Sequence, residues 1–315
     1  MNRNILLICI TFIVLARLGL SIENYQLSSS VEEFLCTIDK YLNIDYNLLE
    51  NSDIPYYSQE QKEKLENIYR DALKRIKDRV LHINSNNNNA DNIDQYEFDP
   101  PIYNSTVYDA FASKTLLNPQ ETLDYNPYDI NDFNTTLSNV SVCGVLYPNE
   151  NDRSTYYLVN YTSAQEAQEA GAYVTHLHSC GYCSTTQDLA AYMKYMDLTS
   201  PIRDCAIVSF ISKEISLDCI QKVAQFSHSC SIIWLYDSLN TRKYCLDICL
   251  YDYIHHVPNN VPTNSTILND CLACDEEKSG PVFKVVAGRT RRDSGLKSAI
   301  NRPPDSIYNI THYYY

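Results

Sequence analysis

The residues best suited to chemistry lie together at His176-x-His178-x-Cys180-Gly181-Tyr182-Cys183. Two thiols at this spacing before a helix allow reversible dithiol exchange, because a helix N-terminus favours the thiolate. One of them beside a base such as His228, His255, His256 or His312 would instead make a nucleophile. His176 and His178, alternating on a strand, share a face, and with two nearby thiols they form a set of ligands suited to zinc or copper. Against all three stands a plainer reading, in which both cysteines are half-cystines of an even-numbered framework. Ser184 and Gln187 form a capping box that starts the next helix after both cysteines. The segment Tyr173 to Ser179 is also too polar for a central parallel strand. Thiol exchange at Cys180 and Cys183 is therefore kept as the alternative function, a metal site at His176 and His178 as a weaker one, and no cofactor is expected.

Two short resemblances belong to this stretch. Cys-Gly-Tyr-Cys resembles the active-site tetrapeptide of some secreted thioredoxin-like oxidoreductases. Cys-Gly-x-Cys at a helix start also looks like the papain-type nucleophile motif, which implies Cys183 as the nucleophile. Ser184 stands where that family carries an aromatic residue, and its upstream Gln is absent.

The second stretch with chemical potential is Arg289-Thr290-Arg291-Arg292, with Arg302 further on. As Arg-x-Arg-Arg it resembles the cleavage signal of furin-like convertases. As a guanidinium cluster near Gly280, Gly288 and Gly295 it is a candidate site for phosphate, sulfate or a carboxylate-bearing glycan. The competing reading is a basic face that meets an acidic middle. From Lys278 to Arg302 seven bases face Asp293 alone, whereas from His82 to Asp152 eleven acids face only Lys114. The overall charge of −14 speaks against nucleic acid as a partner.

The segments Cys271-Leu272-Ala273-Cys274-Asp275-Glu276, Ser279-Gly280-Pro281, Phe283-Lys284 and Ala287 to Arg292 resemble a group of uncharacterised, cysteine-rich secreted proteins from microbial eukaryotes. The similarity spans about residues 175 to 305. It implies a domain and no activity.

These residues need elements to position them, and the compartment decides the state of the thiols. Arg3, the apolar run Ile5 to Val14, Arg17, Gly19 and Ser21 read as a signal peptide cut after Ser21. The run is short for a span, so the expectation is a secreted protein with no stable membrane span, a lumenal or signal-anchored form being the alternative. Sequons at Asn104, Asn134, Asn139, Asn160, Asn264 and Asn309 agree with that route. Ten cysteines crowd the C-terminal half: Cys143, Cys180, Cys183, Cys205, Cys219, Cys230, Cys245, Cys249, Cys271 and Cys274. In an oxidising compartment they predict five disulfides, of undetermined connectivity. Cys36 is left over, either as a link between two chains or as a buried thiol.

Residues 22–83 read as an amphipathic helical pair. The first helix carries Val31, Phe34, Leu35, Ile38 and Leu42; the second starts at Ser58 and carries Leu65, Ile68, Tyr69, Ala72, Leu73, Ile76 and Val80. The pair could form a hairpin, lean on the remainder, or dimerise. Residues 84–140 read as an acidic, Asn- and Tyr-rich, glycosylated linker. A cysteine-rich globular domain of class α+β, helices dominating, follows over 141–305, with 306–315 as a tail. Strands are expected at 140–147, 155–161, 204–211 and 282–287, and helices at 165–172, 189–196, 217–226 and 232–253, the last with a break near Asn240. No Gly-rich phosphate loop or paired-carboxylate motif stands out. The leading expectation is a non-enzymatic extracellular binding or matrix glycoprotein whose partner is an anionic glycan or a protein.

Overall fold

A computed structural model describes residues 59–85, 103–137, 141–209 and 212–315, with side chains of the first helix described over 67–81. The signal segment, the first amphipathic helix, Cys36, Asn139 and the Asn-rich run before Pro101 lie outside the described residues. The fold is a helix-rich α+β arrangement with a small sheet and five disulfides.

Helix α1 (Gln59–Ser85) presents one apolar stripe, and Tyr69, Ala72, Leu73, Ile76 and Val80 along it are buried. It packs on α5 (Thr199–Val208) and α6 (Lys213–Ala224). Within the segment expected to be a linker, Ser105–Ala112 form helix α2, N-capped by Asn104 Oδ1, which accepts from Val107 N at 3.2 Å. Tyr103, Val107, Tyr108 and Phe111 all join the main core. Their spacing places them on one helical face, and this short stripe is hidden in sequence by the polar residues on either side.

Strands β1 (Thr115–Leu116), β2 (Val142–Leu146), β3 (Thr155–Tyr161) and β4 (Tyr173–Leu177) form a sheet in the order β1-β3-β2-β4. β1 runs parallel to β3, and β2 lies antiparallel to both β3 and β4. Helix α3 (Ala164–Glu169) crosses from β3 to β4. The polar segment at 173–179 thus finds its place as an antiparallel edge strand.

Two expected strands are helices. Residues 204–208 belong to α5, where Leu198, Ile202, Cys205 and Val208 are buried at helical spacing. Residues 282–287 belong to α9 (Gly280–Ala287), which opens on Pro281 in its first turn. Both are short apolar β-branched runs, and periodicity cannot separate a buried strand from a buried helix over such lengths. Helix α4 (Thr186–Lys194) is capped by Thr185, one residue later than the expected Ser184. Helix α7 (His228–Ile254) runs unbroken past Asn240, and α8 (Asp270–Lys278) lies against it.

The disulfides are Cys143–Cys180, Cys183–Cys230, Cys205–Cys219, Cys245–Cys274 and Cys249–Cys271. Cys245 and Cys249, one turn apart on α7, reach the two cysteines of the Cys271-x-x-Cys274 pair, so two rungs fix α8 to α7. The expected tail also folds inward: Tyr314 and His312 are buried, and Phe111 meets the Tyr314 ring edge-on at 5.0 Å. Tyr147 Oη donates to the Tyr314 carbonyl at 2.7 Å. An apolar ring with a hydroxyl tip is well suited to this, because it buries area while its polar end still finds a partner.

Candidate functional site: an arginine between two cavities

The two stretches with chemical potential in sequence turn out to be each other's structural partners. Cys180 is bonded to Cys143 and Cys183 to Cys230, so the tetrapeptide holds no internal disulfide. This disfavours both the thiol-exchange and the nucleophile readings, since each needs a free or readily freed thiolate. The glycine within it has a packing reason. Gly181 lies against the end of α9 so closely that a Cβ would come 2.4 Å from the Val286 carbonyl oxygen. Tyr182 N and Cys183 N donate to the carbonyls of Val286 and Ala287 at 3.0 and 2.8 Å.

His176 is fully buried and both of its ring nitrogens are engaged. Nδ1 donates to the Leu177 carbonyl at 2.7 Å, and Nε2 accepts from Ser184 Oγ at 2.7 Å. Burial first, and the nearby Arg289 charge second, hold its pKa well below the usual range, which matches a neutral ring. His178 follows the strand at a left-handed φ of 69° and faces Asp293 at 3.9 Å. The two rings therefore do not share a strand face as a metal pair would.

Arg289 crosses the same knot without a trace of exposure. Its Nε donates to the Cys183 carbonyl, Nη1 to the Thr175 carbonyl and Ser294 Oγ, and Nη2 to Thr175 Oγ1 and the Ser184 carbonyl, all within 3.1 Å. All five donor positions of the guanidinium are satisfied. Arg291 is likewise turned inward onto the carbonyls of Tyr192, Tyr195 and Lys297. Arg302 pairs with Glu276, and Arg292 lies 4.0 Å from the same carboxylate. The four arginines expected to gather round an anion are thus dispersed into the fold, because a buried guanidinium must be satisfied locally.

A different arginine is not satisfied. Arg203, on α5, has a buried Nη2 with no hydrogen-bond partner. It stands in the walls of two cavities, as does Tyr253. The larger, about 620 Å³, is polar; Arg75 and Arg79 of α1, Asp204, Asp252 and the amides of Asn259 and Asn301 line it. Arg75 Nε donates to the Asp204 carboxylate at 3.2 and 3.3 Å, Arg79 approaches it at 3.6 Å, and Tyr253 Oη donates to it at 3.0 Å. Asp252 accepts from Cys271 N at 3.0 Å. Both carboxylates are therefore occupied, and Arg203 keeps no ion-pair contact among the described residues. Burial lowers its pKa, and the surrounding acids Asp197, Asp204, Asp252 and Asp275 only partly oppose that.

The smaller cavity, about 140 Å³, lies between α5, α7 and α8. Ile202, Ile207, Trp234, Leu250 and Leu272 make its walls largely apolar, and the Cys249–Cys271 disulfide forms part of them. Two carboxyl groups face it, Asp237 of α7 and Asp275 of α8. Burial pushes Asp237 well above the carboxylate range, with the Asp275 charge next in effect. Burial likewise pushes Asp275 up to about 6. Polar groups tie the two together through Ser279. Tyr128 Oη lies 2.9 Å from Asp237 Oδ1 and 3.0 Å from the Ser279 carbonyl. Thr241 Oγ1 bonds Asp275 and lies 2.7 Å from Ser279 Oγ, to which Asn240 Nδ2 donates at 3.0 Å. Tyr128 has one proton for two acceptors.

Helical spacing carried a partial signal for this site, since Arg203 sits beside a buried stripe and Asp237 is an acid inside an apolar helix. What sequence could not supply is the meeting of α5, α7 and α8.

The site thus belongs to a disulfide-stapled, helix-rich α+β protein with one polar cavity and one largely apolar cavity that meet at Arg203. Over residues 213–310 the chain matches the profile of a family of unknown function (DUF8771). That segment contains Asp237, Asp275 and Arg289 but not Arg203, and it overlaps most of the region that resembles uncharacterised cysteine-rich proteins. No curated protein and no solved structure matches. Among the described residues no helix is long and apolar enough to cross a membrane.

Proposed function

We propose that this is a secreted or lumenal, disulfide-stabilised glycoprotein that acts by binding, and that its ligand carries an anionic group held at Arg203. The observation that carries the reading is the buried Arg203 Nη2 without a partner, in the wall shared by two cavities. An unpaired buried donor costs about 1–3 kcal/mol, more when charged, and a ligand oxygen would remove that cost. The anionic ligand expected at Arg289, Arg291, Arg292 and Arg302 is proposed at Arg203 instead, because Arg289 and Arg291 are bonded to carbonyls of the fold and Arg302 to Glu276. Five disulfides support an oxidising compartment, and the described sequon residues Asn104, Asn134, Asn160, Asn264 and Asn309 are all exposed, as a glycan requires.

The test is thermal unfolding of the full glycoprotein, collected from the medium of a secretory host, against rising concentrations of small aliphatic carboxylates. A melting temperature that climbs with carboxylate in the wild type and stays flat in Arg203→Met supports the reading. Equal behaviour of the two proteins overturns it, and failure to recover glycosylated protein from the medium overturns the compartment.

A further inference from the structure

We infer that the cavity between α5, α7 and α8 is a site for a small zwitterion with an apolar side chain, such as a free aliphatic α-amino acid. This rests on the anion reading of Arg203 and adds a cationic group and an apolar moiety to the ligand.

Arg203 and the acids Asp237 and Asp275 line one small cavity, yet no hydrogen bond or ion pair joins the guanidinium to either carboxyl among the described residues. Opposite charges in a poorly solvated space close on each other wherever they can reach. Here they share no direct bond, although Arg203 and Asp275 each feel the other's charge. Burial holds both acids up and the guanidinium down, and the mutual attraction of Arg203 and Asp275 offsets only part of that. A molecule bearing a carboxylate and an ammonium supplies both missing partners at once. The carboxylate meets the Arg203 guanidinium, whose Nη2 has no bond to give up. The ammonium meets the acid pair and favours the ionised form of Asp275.

The remaining wall selects what lies between. Ile202, Ile207, Leu250 and Leu272 are aliphatic, and Trp234 offers an aromatic face. A volume of about 140 Å³ admits on the order of ten water-sized groups, which suits one amino acid and not a chain of them. The cleft is rigid on two sides, because the Cys245–Cys274 and Cys249–Cys271 bonds fix α8 to α7. The polar cavity, larger and sharing Arg203 and Tyr253, is the approach. Rigidity and pre-placed charges lower the ordering cost of binding.

The experiment is calorimetric titration of the full glycoprotein with leucine, 4-methylpentanoate and isopentylamine, which differ in having both charged groups, the carboxylate alone or the ammonium alone. The expected result is leucine at least about tenfold tighter than either. Asp275→Asn should remove that advantage while leaving 4-methylpentanoate unchanged, and Arg203→Met should abolish both. Equal binding of 4-methylpentanoate and leucine overturns the zwitterion and leaves the anion reading standing. Preference for isopentylamine, or no heat from any of the three at about 10 mM, overturns both. Leucine affinity unchanged in Arg203→Met and Asp275→Asn, with both variants melting as wild type, places the ligand elsewhere and overturns the inference.

Discussion

Arg289, fully buried, and Arg203, half-buried with a buried Nη2, have opposite fates in one chain. Arg289 is wrapped by backbone carbonyls and hydroxyls of β4, the Cys180–Cys183 loop and Ser294, with a bond for each of its five donors. Arg203 borders two cavities and has a donor with nothing to bond. The first guanidinium is a structural tie, and the second has an unsatisfied nitrogen in a side chain that lines two cavities. Burial alone does not mark a functional charge; satisfaction decides.

The contrast breaks most visibly at Arg289. Arg289→Met leaves the carbonyls of Thr175, Cys183 and Ser184 without their donors, and a loss of about 3–5 kcal/mol is expected. Urea unfolding of the secreted protein measures it, and a loss below about 1 kcal/mol would show the knot to be incidental. Next comes the disulfide beside that knot. Cys183–Cys230 closes 47 residues and Cys205–Cys219 only 14. Loop-closure entropy then predicts about 4 kcal/mol lost for the paired alanine variant of the first and about 3 for the second. A reversed order would mean that native-state contacts outweigh the chain entropy.

At Arg203 the expected effect on the ligand-free protein is far smaller. Arg203→Met removes a half-buried guanidinium with an unbonded Nη2, so stability should change by less than about 1 kcal/mol or rise. A large loss would show that Arg203 has a structural partner after all, and would erase the contrast with Arg289.

The smallest effect is in pH. Asp275, at about 6 when folded against a usual 3.8, favours folding while neutral. Its contribution is therefore complete below pH 3.8 and lost as pH climbs past about 6. His312 acts in the opposite sense. Burial, then the Arg289 charge, lowers it to about 3, so stability falls as pH drops below its usual 6.5. The two oppose each other in the wild-type profile, and a difference measurement isolates the first. The melting temperature of Asp275→Asn minus that of wild type should widen from pH 4 to pH 7. A constant difference would show that Asp275 titrates normally and that the acid pair is solvated.

Much of the frame was legible in the residues. The stripe Tyr69 to Val80 on α1 is a long, regular apolar pattern with charged residues on its other face, which is the strongest periodic signal a chain can carry. The even cysteine set announced a stapled domain. The expected strands at 204–211 and 282–287 failed because a run of buried apolar residues shows no face to count from. The expected linker failed at Tyr103 to Phe111 because a single helical turn or two of apolar residues is easily lost among asparagines.

The candidate site was less legible for a related reason. His176, Cys180, Cys183 and Arg289 to Arg292 look chemical by type and spacing. Yet spacing does not say whether a neighbour satisfies the group, and in this fold each stretch satisfies the other.

The sequence by itself determined the helical stripe of α1, the helix-dominated α+β class and the presence of a disulfide framework, because periodicity and cysteine parity are local or countable properties. Only the tertiary structure decided which cysteines pair, that Arg289 is sated while Arg203 is not, and that Asp237 and Asp275 face one cavity. Each of those depends on groups far apart in the chain meeting in a space of low dielectric, where a partner present or missing is worth several kcal/mol.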